Sequence, residues 1–149
     1  MTRELCHELY KHWTNDASIY MDMHLFQPYV YDEGAVNRYF DTKGQDASRR
    51  LFAIMLGDKV IGELQLKQID HDKKECSLSI HMQNDAVKGR GYGTQAERLA
   101  VKTAFDELGM AAVNADTIRK NTRSQHVLGK VGFRFVREDE TFKYYRIER

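Results

Sequence analysis

Hydrophobic positions along this chain change period several times, and each change marks an element. Leu5, Leu9 and Trp13 recur every four residues behind Thr2, which is suited to an N-cap, and predict an amphipathic helix running to about Asn15. Val36, Tyr39 and Phe40 share one side of a second short helix over residues 33–40, and the charge-dense DTKGQDASRR after it reads as a solvated loop. Residues 51–56 and 60–69 are apolar runs around Gly57, Asp58 and Lys59, the mark of an antiparallel hairpin. After an HDKK turn, residues 75–82 alternate strictly. Cys76, Leu78, Ile80 and Met82 take one face, and Glu75, Ser77, Ser79 and His81 the other.

The period then becomes helical. Ala96, Leu99, Ala100, Ala104, Phe105 and Leu108 form a stripe over a helix expected at residues 94–108, which Gly109 ends. A strand follows at 111–117. A Thr122/Gln125 capping box then opens a helix carrying Val127, Leu128 and Val131, stopped at Gly132. Short strands at 133–136 and 143–147 flank an EDET turn. Strand, loop, helix and strand from 75 to 117 make a crossover whose two strands run parallel. The fold class is α/β (α+β), and a chain of 149 residues is one domain, 1–149.

The stretch VKGRGYGTQA, residues 87–96, carries the chemistry. Gly89, Gly91 and Gly93 let the backbone bring amides close to a ligand, the following helix supplies unpaired N–H groups, and Lys88 and Arg90 stand at the edge. That is an anion cradle, suited to a phosphate. A P-loop fails because no lysine follows a glycine at the required spacing. Gly91, Gly93 and Ala96 satisfy a dinucleotide fingerprint, with Asp116 placed for a ribose. That fingerprint opens repeated βαβ units, however, and here it comes past mid-chain after a hairpin.

KGRGYG also resembles the Q/RxxGxG/A pyrophosphate loop of the GCN5-related N-acetyltransferases, with Lys88 where Arg or Gln is usual. Asn121, Ser124 and the LGKVGF run resemble that family's NxxS helix and K-x-G-F turn, in the version of the ribosomal-protein N-terminal acetyltransferases. The resemblance covers residues 51–149. It implies a mixed, mostly antiparallel sheet with helices on both faces, and the family's first strand is missing here. It implies acetyl-CoA as co-substrate, held by Met82, Val87, Lys88, Gly89, Arg90, Gly91, Tyr92, Gly93, Thr94 and Asn121. The carbonyl would be polarised by backbone N–H groups near His81 and Met82.

The acceptor it implies is a primary amine, a protein N-terminus or a small molecule. Glu75 is the first candidate base and His81 the second. Ser124 is a candidate proton donor, since Leu128 stands where many relatives carry a tyrosine. That tyrosine's absence leaves a non-catalytic acyl-CoA-binding module as the alternative, with a nucleotide-dependent oxidoreductase third. The segment from Tyr20 to Tyr31, with Met21, Met23, Phe26 and Tyr29 among Asp22 and Asp32, is either a wall of the acceptor site or a loop tucking aromatics under the domain. A missing first strand leaves the next one as a sheet edge, where a homodimer is an expectation.

Composition excludes more than it adds. Lys and Arg total 23 against 22 for Asp and Glu, so no global field recruits nucleic acid or an anionic membrane. The isolated Cys6 and Cys76 fit reduced thiols in a cytoplasmic protein, and no apolar run reads as a signal peptide or span. His7, Glu8 and His12 form HExxxH, one residue longer than a zinc helix motif, which turns the second imidazole about 140° from the first. No metal is expected.

Overall fold

The sheet is organised by where strands pair and where they stop pairing. The computed structural model describes residues 1–19 and 23–149. Six strands, β1 (Arg50–Leu56), β2 (Lys59–Asp70), β3 (Glu75–Met82), β4 (Ala112–Ile118), β5 (Arg134–Glu138) and β6 (Phe142–Glu148), lie in the order β1-β2-β3-β4-β6-β5. All neighbours are antiparallel except β3 and β4. That parallel pair is short: Glu75, Cys76 and Ser77 pair with Ala112, Val113 and Asn114, and there the ladder ends. Beyond it β3 keeps pairing with β2, and β4 with β6, so the sheet opens into a V between them.

Four helices cover the two faces: α1 (Arg3–Lys11), α2 (Glu33–Gln45), α3 (Tyr92–Asp106) and α4 (Thr122–Val131). Strand alternation sorts them. Leu64, Leu66, Cys76 and Leu78 pack with Ala100, Val101 and Ala104 of α3 and with Leu128 of α4 in one buried cluster. Glu63 and Gln65 point the other way, where Tyr10 of α1 and Tyr39 of α2 bond them. The chain ahead of β3's loop is clasped to α1 by the buried Gln83. Its side-chain amide donates to the Leu9 carbonyl (2.9 Å), and its own carbonyl accepts the Thr14 N–H (3.0 Å).

Several expected boundaries move. α1 ends at Lys11, short of Asn15, leaving Trp13 beyond the helix. α2 runs on to Gln45, absorbing half of the tract read as loop, with Asp41 held in an ion pair by Arg3. α3 begins at Tyr92, two residues early, and Leu99, expected in the core, is 67% exposed. Asp32, a candidate for an incoming ammonium, instead caps α2 by accepting the N–H of Gly34 (2.9 Å) and Ala35 (3.3 Å). Tyr31 donates to or accepts from His7 (2.6 Å), and Tyr29 packs on Tyr10, so these aromatics lie over α1. Tyr20, Met21 and Asp22 lie outside the described residues.

β1 and β5 are the edges of the sheet. The Met1 ammonium donates to the Leu51 carbonyl at 3.3 Å, so Leu51 turns its polar groups outward from the sheet. An apolar groove of about 280 Å³ runs between this strand and α3, lined by Phe52, Ile54, Met55, Tyr92 and Leu99 among others.

One buried group has no counterpart in the sequence pattern. Glu97 on α3 is 1% exposed, its Oε2 has no partner among the described residues, and burial pushes its carboxyl up to about 8. The folded chain therefore keeps a proton there that the unfolded chain releases near 4.5. Stability falls as pH rises between those values, by at most about 1.4 kcal/mol per unit, and levels off above. Thermal unfolding of Glu97→Gln should lose this slope between pH 5 and 8. Parallel slopes for the two proteins would contradict it.

Candidate acyl-donor and acceptor site

The open end of the V is where the glycine loop begins. Beyond Met82 the chain makes one turn of 3₁₀-helix over Asp85–Val87, capped by Asn84, and enters the glycines. Gly89 and Gly91 have φ of 73° and 83°, a region that side-chain-bearing residues adopt with strain. Gly91 is the N-cap of α3 and offers no side chain to it. The first bond of the helix runs from Gln95 N–H to the Gly91 carbonyl (3.1 Å), so the amides of Tyr92, Gly93 and Thr94 have no acceptor within the helix. They converge with the helix dipole on one point. An anion fits there.

Lys88 does something the sequence did not suggest. Its ammonium bonds Asp16 at 2.9 Å and Asp85 at 3.2 Å and is only 12% exposed. It ties the cradle to the segment after α1, and Asn84 adds a bond to the His12 carbonyl (3.2 Å). Burial opposes ionisation of Asp16, but bonds from Ser18 and Lys88 outweigh it and bring its carboxyl down to about 2. Arg90 is exposed and is the cation left facing solvent beside the glycines.

The other arm of the V ends in Asn121, which caps α4 by accepting the Ser124 N–H at 3.2 Å. The expected Thr122/Gln125 box is replaced: Gln125 donates to the Ile118 and Arg119 carbonyls and holds the turn after β4. Asn121 and Ser124 thus sit together at the start of α4, after the arm of the V formed by β4, and Leu128 is buried in the core. On β3, His81 stands at the open end and Glu75 at the closed end, roughly 20 Å away along the strand. Glu75 is bound to Arg146 at 2.6 Å, which holds its carboxyl below the usual range. The structure does not bring Glu75 to the cradle.

β3 and β2 approach unusually closely at this end. A Cβ on Gly62 would lie 2.8 Å from the His81 carbonyl oxygen and 3.1 Å from Met82 Sδ, so only glycine fits. The position beside Met82 depends on it.

A model of the acetyltransferase (GNAT) domain matches residues 1–134. The chain belongs to the GNAT family. A probable N-acetyltransferase of Bacillus subtilis, YjcK, is 34% identical over 76 residues, which is 51% of this chain and 42% of YjcK. The chain therefore spans less than half the length of that relative. Among solved structures, Vibrio cholerae spermidine N-acetyltransferase with CoA and spermine superposes with a TM-score of 0.80, covering 99% of this chain and 92% of the other at 16% identity. Campylobacter jejuni N-acetyltransferase PseH with acetyl coenzyme A gives 0.68, with 77% and 78% covered at 21% identity. These likenesses establish the GNAT fold.

The residues at the open end of the V would fit acetyl-CoA: three free amides for a pyrophosphate, an exposed arginine beside them, and an opened strand for the acyl arm. On the face toward α1 and α2 the site continues into residues not singled out above. His81 lies against Trp13 (ring centroids 6.3 Å), Trp13 against Tyr10 (4.9 Å), and Tyr10 and Tyr39 both donate to Glu63. Desolvation lowers the His81 imidazole from its ordinary 6.5, the Glu63 carboxylate opposes this, and Lys67 and Lys88 reinforce it. The signal for Glu63 and Gln65 was in VIGELQL, where two polar residues fall on alternate positions of an otherwise apolar strand.

No group of three or more metal-ligating side chains occurs among the described residues, and His7 of the HExxxH string bonds Tyr31 and Asn37. Among the described residues no helix is long and apolar enough to cross a membrane. Cys6 and Cys76 are buried thiols, each pushed up to about 11 by burial.

Gly91→Ala tests the cradle. No atom lies within 4 Å of the added methyl, so only backbone strain acts, about 1 kcal/mol or somewhat more. The variant should remain folded, melt a few degrees lower, and bind acetyl-CoA more weakly by calorimetry. Unchanged affinity would remove Gly91 from the site.

Proposed function

We propose that the chain is an N-acetyltransferase that moves an acetyl group from acetyl-CoA to a primary amine, with His81 as the base. One observation carries the reading: the free amides of α3 begin just past the open end of β3, where His81 stands on the α1 and α2 face of the strand. Acetyl-CoA supplies an activated acyl group on sulfur. The amides of Tyr92, Gly93 and Thr94 hold its pyrophosphate, and backbone N–H groups at His81 and Met82 polarise the carbonyl. Asn121 positions the donor from the opposite arm, and Ser124 is the hydroxyl available to return a proton to the leaving thiolate. Val87, Lys88, Gly89 and Arg90 complete the cofactor contacts, with Lys88 acting through the loop it anchors.

The imidazole, shifted below its ordinary value on an otherwise exposed residue, is suited to accept the amine's proton. A protein α-amine, titrating near 8, needs less help from such a base than a lysine near 10, which favours N-terminal or small-molecule amines in the cytoplasm. Kinship with the ribosomal-protein N-terminal acetyltransferases is part of this reading, on the NxxS and K-x-G-F motifs.

The buried Leu128, without a hydroxyl, favours a second reading as a non-catalytic acyl-CoA-binding module. Turnover separates the two. Acetyl-CoA should raise the melting temperature by several degrees at a hundred times its Kd, about 2.7 kcal/mol. CoA release with a panel of peptides and small amines should follow, with an acid limb below the ordinary histidine value that His81→Gln abolishes. A thermal shift without turnover on any amine would favour the binding module.

The edge of β1 supports a homodimer in the same reading. Residues 51–56 are uninterruptedly apolar, and pairing two copies antiparallel about Ala53 sets Leu51 opposite Met55. Ala53 shares the outward orientation of Leu51, so Ala53→Pro removes an outward donor and leaves the β1–β2 bonds. Sedimentation should show a dimer that this variant loses; a monomer at all concentrations would contradict it.

A further inference from the structure

Glu63 is 3% exposed and directly opposite His81 in the β2–β3 register, so the two side chains share a face at neighbouring positions. Its Oε1 accepts two hydroxyls, Tyr10 at 2.8 Å and Tyr39 at 2.7 Å. The Tyr39 oxygen in turn accepts Gln65 Nε2 (2.9 Å), and Gln65 Oε1 accepts the Arg49 guanidinium. Two helices thus fix one carboxylate oxygen. The other, Oε2, is buried with no partner among the described residues.

An unpartnered buried carboxylate oxygen costs free energy, and a network this complete has no structural need for it. We propose that Glu63 is the positioning residue for His81, its free oxygen receiving the N–H of the imidazolium that forms during transfer. The inference rests on His81 being the base. In the step it serves, the amine nitrogen bonds the acetyl carbon, the carbon–sulfur bond breaks, the thiolate leaves with the electron pair, and the amine's proton passes to His81. Glu63 takes no proton. It supplies the fixed negative charge that stabilises the positive ring while Tyr10 and Tyr39 hold it in place.

The other groups facing the imidazole are Lys67 on β2, Lys88 in the loop after β3 with its partners Asp16 and Asp85, Tyr10 on α1 and Tyr39 on α2. Both lysines disfavour the imidazolium. Glu63 is the acid on the opposing strand that favours it.

The test is an NMR titration of the His81 ring, its resonance identified by its loss in His81→Asn. In Glu63→Gln the ring should titrate about one unit lower, the size expected for an opposite charge at neighbouring distance, and kcat should fall with KM little changed. Tyr39→Phe keeps the charge but removes one of its donors, and should raise the ring's titration point. It tests the coupling even if Glu63→Gln does not fold.

An unchanged His81 titration in these variants overturns the proposal, as does a rise in KM alone, which would make Glu63 a direct contact of the acceptor. The titration needs no turnover. Failure of the wild-type protein to acetylate any amine would sink the catalytic reading, and the ring's response would still decide whether Glu63 acts on His81.

Discussion

The rest of the molecule depends on the parting of β3 from β4. Three residue pairs hold the parallel strands together, and beyond Ser77 and Asn114 each follows its antiparallel neighbour. The five remaining residues of β3 turn backbone groups toward a gap, where in water or in a packed core they would need partners. The gap supplies the need for a ligand. Because a crossover places its loop at the carboxyl end of the first strand, the glycines and the α3 amides arrive at the mouth of that gap. Gly62 makes the geometry there possible, since any side chain would meet the His81 carbonyl.

The two faces of the sheet divide the work. On the α3 and α4 face, Leu64, Leu66, Cys76 and Leu78 form an apolar core that keeps the strands rigid. On the α1 and α2 face the same strands present Glu63 and Gln65, bonded to tyrosines from those helices, and His81, which lies against Trp13. The salt bridge from Lys88 to Asp16 links the halves, because it ties the donor cradle to the segment that leads from α1 toward the aromatic residues. Movement of either is felt by the other.

Much of this was legible in residue order. Alternation in β3 assigned His81 to the face it occupies, and the glycines, Asn121 and Ser124 pointed to the family. What periodicity conveys is a face, not an end. Glu75 shares His81's face but stands where β3 and β4 are still paired, and nothing local marks where the ladder stops. Glu63 was hidden for a different reason: its partners come from residues 53 and 24 positions away. α2 outran its expected length because Arg3, on another helix, holds Asp41 in its last turns. Glu97, a carboxylate inside an apolar stripe, reads from sequence as a solvated position, and only packing reveals that it is buried.

Amide hydrogen exchange with and without acetyl-CoA tests the central claim, that the opened V and its cradle are the donor site, most directly. New protection is expected at residues 88–94 and around His81 and Met82, with the β1–α3 groove unchanged. Protection confined to that groove, at Phe52, Ile54 and Leu99, or absent from the glycine loop, would contradict it.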